Sequence, residues 1–144
     1  MKIKVILGSP NPKGKTAHFM RNFFVETKRQ GIGITNSLIE ADGLFIFTPV
    51  HWFSVPWKLK KFIDTELHKL ESQNYALEGK LFGTFVFSPQ GGESLVLSQL
   101  AIATNLMGFV IPPYSLIYFR NKTDLWATNF HYLLKTWKKY ISTQ

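Results

Sequence analysis

"ILGSPNPKGKTAHF", residues 6–19, joins a short apolar run to a helical one through a loop holding Gly8, Gly14, Lys15 and Thr16. Glycine, lysine and threonine in that order suggest the phosphate loop of ATPases and GTPases. The spacing rejects it. Five residues separate Gly8 from Gly14, where that motif has one fewer. Pro10 and Pro12 also remove two backbone N–H donors from the loop. The next strand ends in Thr48-Pro49, with no aspartate to hold magnesium. What remains is a strand, Gly-Ser, a short loop, a threonine and a helix. A helix N-terminus carries partial positive charge. The Ser9 and Thr16 hydroxyls, the nearby backbone N–H groups and Lys15 therefore make a metal-free phosphate site.

Outward from this loop, strand-like and helix-like runs alternate. Lys2–Leu7 reads as a buried parallel strand, and residues 14–30 as a helix with Phe19, Met20, Phe23 and Phe24 facing inward. A second strand spans 44–48. A helix follows from Pro56 to Ser72, with the proline at its first position and Leu59, Phe62, Ile63, Leu67 and Leu70 on its apolar side. Residues 81–87 give a third strand and 94–107 a third helix. Residues 109–111 start a fourth strand, broken by Pro112-Pro113, which "YSLIYF" extends. The spacing of Trp126, Phe130, Leu133, Leu134, Trp137 and Ile141 predicts a closing helix over 123–142, capped by Thr123 or Asp124. Alternation of this kind predicts a parallel sheet covered on both faces: one α/β domain over residues 1–144.

Composition narrows the chemistry. The chain of 144 residues has 45% hydrophobic and 18% charged residues, as folded globular domains do. With no cysteine, there are no disulfides, iron–sulfur clusters or cysteine nucleophiles. His18, His51, His68 and His131 lack metal-ligand spacing, and no nucleophile–base set is visible. The run from Ile3 to Leu7 is too short for a signal core or a membrane span, so a cytoplasmic protein is expected. The net charge of +8 is spread along the chain without a nucleic-acid-binding signature. It reads as solvated faces that attract an anionic ligand, not as a nucleic-acid surface.

Four blocks in order, "GSPNPKGKT", "ADGLFIFTPVHWFSVPWKLKKFID", "LEGKLFGTFVFSPQGGE" and "LMGFVIPPY", resemble the NAD(P)H-dependent FMN reductases and quinone reductases of the flavodoxin-like fold. The likeness covers most of the chain, and its middle block is the most specific part. It implies a three-layer flavodoxin-like sheet with FMN held by three loops at the carboxyl ends of the strands. Carried over residue by residue, Ser9, Asn11, Lys15 and Thr16 would bind the FMN phosphate. Pro49, Val50, His51, Trp52 and Phe53 would edge and cover the flavin ring. Ser88, Gln90, Gly91 and Gly92 would form the third loop, beside the ring and ribityl chain.

Physical chemistry supports those roles independently. A flat ring is well covered by a large aromatic such as Trp52, backbone N–H groups of residues 50–53 can serve its carbonyl edge, and Gly91-Gly92 let the main chain come close to a ligand. Each residue has a plainer alternative. Trp52 and Phe53 have a secondary reading as core or dimer-contact aromatics, Gly91-Gly92 as a turn into a helix, and Ser9 and Thr16 as caps.

The resemblance implies an oxidoreductase that passes hydride from NADH or NADPH to a quinone, flavin or similar acceptor. The absence of a catalytic acid–base pair agrees, because a flavin carries that chemistry itself. Two alternatives stand beside it: a flavodoxin-like electron carrier, and a degenerate relative that no longer binds flavin. Between the first helix and "ADGLFIF" only about a dozen residues stand where the family has a strand, a loop and a helix. The second strand is therefore expected to be reduced to about residues 31–35, or missing. That leaves a sheet edge in need of cover, and a homodimer or higher homo-oligomer is the expected form.

Overall fold

The computed structural model describes residues 1–144. Strand β1 (Lys2–Leu7) leads into helix α1 (Lys15–Arg29), then β2 (Gly33–Ile34) and β3 (Gly43–Pro49). Helices α2 (Trp57–Phe62) and α3 (His68–Glu71) are joined without a break by a π-helical turn, Ile63–Leu67. Then come β4 (Leu81–Phe87), α4 (Glu93–Leu106), β5 (Leu116–Phe119) and, after a 3₁₀ helix at Lys122–Thr128, α5 (Phe130–Ser142). All strand pairs are parallel, in the order β2-β1-β3-β4-β5. This is the flavodoxin-like doubly wound arrangement.

Alternation along the central strands creates the three layers. Phe45 and Phe47 of β3 and Leu81 and Phe85 of β4 face α1 and α5, where Phe19, Phe23, Phe130, Leu134 and Trp137 close the core. Leu44, Ile46, Phe82 and Val86 face the other way, against Leu59, Ile63, Val96 and Leu100. Successive side chains on a strand point to opposite faces, so an unbroken apolar run such as β3 must be covered on both. Trp137 is fully buried. Its indole lies where a Cβ on Gly43 or Gly83 would come within 3.0 Å, and its Nε1–H donates to Ser115 Oγ at 2.9 Å.

β2 is reduced, as expected, to two paired residues followed by a single turn at residues 38–40. Too short to satisfy its own backbone, the linker borrows donors from elsewhere. The Lys4 ammonium donates to Asn36 O at 2.5 Å, and that of Lys80 to Ala41 O at 2.6 Å and Ile39 O at 3.0 Å. Partial burial holds the Lys80 ammonium below its ordinary pKa of 10.5, opposed by the Asp42 carboxylate.

Three expected boundaries are corrected. The fourth strand is confined to the extension, residues 116–119 within "YSLIYF", and does not include 109–111. Val110 makes one bridge to Leu81, with its N–H on Lys80 O and its carbonyl accepting from Phe82 N. Pro112 and Pro113 then have no N–H to continue a ladder, and Tyr114 takes φ +67° before the chain rejoins β4. The closing helix breaks at Asn129, whose side chain caps His131 N at 3.2 Å. Upstream the cap is Asn121, which accepts from Thr123 N at 2.9 Å, while Asp124 accepts from Arg120 N at 3.0 Å. Pro56 stands just before the helix, in extended conformation. No helix is long and apolar enough to cross a membrane.

Candidate functional site

Parallel strands all point their carboxyl ends the same way, so the loops after β1, β3 and β4 share one end of the sheet. After β1, Gly8 N donates to Phe47 O at 2.7 Å, and a Cβ on Gly8 would meet Leu59 and Thr48 within 3.2 Å. The first loop is therefore pressed against β3 and α2. Ser9, buried, accepts from Asn11 N at 3.1 Å through its hydroxyl, while Asn11 Oδ1 accepts from Lys13 N at 3.0 Å. These bonds tie Asn11 to both Ser9 and Lys13 and fix the loop as far as Gly14, whose N–H donates to Asn11 O at 3.4 Å. Helix α1 then starts with no side-chain cap, and the amides of Lys15, Thr16 and Ala17 have no acceptor in the chain. Thr16 is buried in this first turn, and Lys15 is exposed.

The second loop is a two-residue hairpin. His51 and Ser54 exchange N–H···O bonds of 2.9 and 3.0 Å around Trp52 and Phe53. Both central residues have positive φ, +50° and +60°. That is the signature of a type I′ turn, a place normally filled by Asn-Gly. Bulky side chains in this left-handed region are strained by roughly 1–3 kcal/mol each. Trp52 is 95% exposed and Phe53 62%. Two of the four amides expected for the ring edge are taken: Val50 N donates to Phe87 O and His51 N to Ser54 O. Trp52 and Phe53 N–H are the free ones.

The third loop turns at Ser88, with Gly91 N on Ser88 O at 3.0 Å, and Gly91 and Gly92 both at φ +86°. A Cβ on Gly92 would sit 3.0 Å from Phe53 Cδ1 and from Val50 Cγ1. Only glycine allows both that backbone and that approach. A hydrogen bond from Ser54 Oγ to Gln99 Oε1 at 3.4 Å ties the hairpin to α4.

Between the second and third loops lies a cavity of about 610 Å³, lined by Val50, His51, Trp52, Phe53, Ser88, Pro89, Gln90 and Gly91. Of the expected ring-side residues, Pro49 and Gly92 stand behind this wall: Pro49 ends β3, paired with Phe87, and Gly92 backs Phe53. Ser9, Asn11, Lys15 and Thr16 lie outside the cavity, at the end of the adjacent strand. Pro89, between Ser88 and Gln90, is an additional lining residue that its sequence neighbours would have indicated. Sequence reasoning also missed the Glu93–Arg120 ion pair, which joins the start of α4 to the end of β5. No local signal couples residues so far apart. The buried Ser88 Oγ and Glu93 Oε2 have no hydrogen-bond partner.

The family model described as NADPH-dependent FMN reductase matches residues 33–122, which include the second and third loops but not the first. A curated protein named Flavodoxin, from Clostridium saccharobutylicum, is 28% identical over 137 residues, covering 87% of this chain and 81% of the relative. Among solved structures, the flavoenzyme NAD(P)H:(acceptor) oxidoreductase FerB from Paracoccus denitrificans superposes with a TM-score of 0.75 at 14% identity, over 96% of this chain and 98% of its own. A flavodoxin, WrbA-like protein from Agrobacterium tumefaciens gives 0.71 at 17% identity, covering 99% of each chain. At such identities these two structures establish the fold.

Proposed function

The chain belongs to the NADPH-dependent FMN reductase family, and from that premise we propose that its three loops hold FMN for hydride transfer from NADH or NADPH to a quinone, flavin or similar acceptor. The observation that carries this reading is the placement of a 610 Å³ cavity beside an uncapped helix N-terminus at the same end of the sheet. The donors present suit a phosphorylated flavin. Three open amides, the buried Thr16 and Ser9 and the charge of Lys15 receive a phosphate without a metal. The orphaned Ser88 hydroxyl gives the third loop a polar atom for the ring or ribityl chain.

FMN supplies the capacity to take up and pass on a hydride. The chain's own residues bind and orient. Trp52 and Phe53 offer aromatic faces, their free amides offer donors, and Gly91 brings backbone close. No side chain of the site is assigned as a catalytic acid or base.

The same reading includes a cytoplasmic setting and a homodimer or higher homo-oligomer. Between Lys80 and Arg120 the sequence has no Lys or Arg, and Leu95, Ile102 and Leu106 stand exposed along α4. In a chain of net charge +8, this cation-free face is where two copies meet with least repulsion. Sedimentation of wild type and Ile102→Glu tests it: the variant is expected to be monomeric where wild type is not.

For the activity, purified protein should carry or take up FMN, show its visible absorption band, and oxidise NADPH or NADH continuously when a quinone or free flavin is added. An electron carrier would bind FMN equally but would not turn over nicotinamide without a separate reductase. A protein that takes up no flavin sinks both readings.

A further inference from the structure

The shortening of β2 leaves half of one sheet edge open. On β1 the odd-numbered residues turn their backbone groups toward β2: Gly33 N donates to Met1 O and Thr35 N to Ile3 O, both at 3.1 Å. The even-numbered residues face β3, as Asp42 N on Lys2 O and Gly8 N on Phe47 O show. Pairing with β2 ends at Ile3↔Ile34. At Ser37 the chain has already turned away, its N–H taken by Thr35 Oγ1 at 3.1 Å. The outward N–H and C=O groups of Val5 and Leu7 are therefore left without a strand partner. An unpaired edge of this kind is a template for an added strand.

The vacated space is a groove of about 540 Å³, walled by Val5–Leu7 on one side and by Trp57, Phe62 and their neighbours on the other. Trp57 is 67% exposed. Two cations of the α2 wall, Lys58 and Lys61, have no carboxylate partner, unlike Lys60, which is paired with Asp64. Glu66 is the one acidic residue lining the groove. Toward the α1 side, Val5 and Leu7 join Met20 and Phe24 in a half-buried apolar margin.

We infer that this edge is a docking site for an extended acidic segment of another protein, which adds to β1 as a strand in the space a full-length β2 would fill. Main-chain bonds to Val5 and Leu7 supply the pairing. Because side chains alternate, carboxylates on one side of the segment meet Lys58 and Lys61, and apolar residues on the other side meet Met20 and Phe24. A second copy of this chain does not suit the groove. Two-fold pairing along Val5–Leu7 would bring the Lys58 and Lys61 cations of the two copies together on one face of the joined sheet. The lysines thus guard the edge against self-pairing while leaving it receptive to acid.

The test uses a fluorescent peptide of alternating glutamate and valine, its lysine–valine counterpart and a scrambled acidic control, with hydrogen exchange of the protein followed residue by residue. The alternating acidic peptide should bind, the basic one should not, and exchange at the Val5 and Leu7 amides should slow. Lys58→Glu with Lys61→Glu, both exposed positions, should weaken the acidic peptide by about tenfold while leaving FMN uptake unchanged. Any of three results overturns the proposal: no binding up to about 1 mM, equal binding of the scrambled control, or binding without protection at Val5 and Leu7. None of these outcomes bears on the flavin site, which is read separately from FMN uptake.

Discussion

The loop after β1 and the hairpin after β3 sit at the same end of the sheet but are built on opposite terms. The first is relaxed: Ser9 accepts from Asn11 N, Asn11 Oδ1 accepts from Lys13 N, Ser9 and Thr16 are buried, and the first helix amides stay open as at any helix start. The second is strained and exposed. Two aromatics take positive φ, and Trp52 covers nothing within its own chain. A phosphate site can be relaxed because its donors come from a regular helix end. A platform for a flat ring must instead hold large side chains where no core supports them. Strain of this kind persists only where the surroundings enforce it. Here the paired ends of β3 and β4, Gly92 behind Phe53 and Gln99 beneath Ser54 do so.

The largest expected effect tests the relaxed side. Thr16→Ala should weaken FMN by about 10- to 100-fold, the range for hydrogen bonds to a charged group, and leave riboflavin nearly unchanged. Titration of both flavins decides: equal loss for the two would remove phosphate from this loop.

Next comes the strained side. Trp52→Asn combined with Phe53→Gly gives the turn the residues its backbone prefers. The double variant should gain about 2 kcal/mol in urea unfolding while losing affinity for both flavins. Unchanged stability would show the hairpin to be unstrained, and the contrast with the first loop would collapse.

Trp52→Ala separates the aromatic face from the backbone. Affinity for FMN and riboflavin should drop together by about tenfold, with stability altered by less than about 0.5 kcal/mol, since the side chain is almost wholly exposed. Normal FMN binding with loss of the oligomer would make Trp52 an interface residue.

The smallest effect lies at the far end of α1, away from both loops. The Gln30 side-chain hydrogen bond, helped by His131 and Arg29 and opposed by burial, holds the Glu26 carboxyl below its ordinary value of 4.5. A carboxylate depressed in the folded state stabilises above its unfolded value and loses that contribution as pH falls through the folded one. Glu26→Gln should therefore shift the urea midpoint slightly downward at neutral pH, and the difference from wild type should fade as pH falls below 4.5 and through the lowered folded value. A difference that persists in acid would assign the effect to packing.

Local chemistry made the first loop legible. Spacing, two prolines and a missing aspartate exclude the ATPase loop from residues 6–19 and 44–49 alone, and apolar runs mark β1, β3 and β4 within a residue. The same local signal started β5 too early, because 109–111 is as apolar as 116–119. It also ran the last helix through Asn129, because Trp126 and Phe130 happen to keep the helical period, though Trp126 is 62% exposed. Sequence alone determined the alternation of elements, the shortening before β3 and the family resemblance, and it supplied the proposed phosphate-site residues, since each rests on residues close along the chain. Only the tertiary structure decided the strained hairpin, the pairing of Glu93 with Arg120, the lysines that serve the shortened linker and the open edge at Val5 and Leu7. Those depend on which backbone groups find partners across the sheet, and hydrogen bonds between distant residues leave no periodic trace in the sequence.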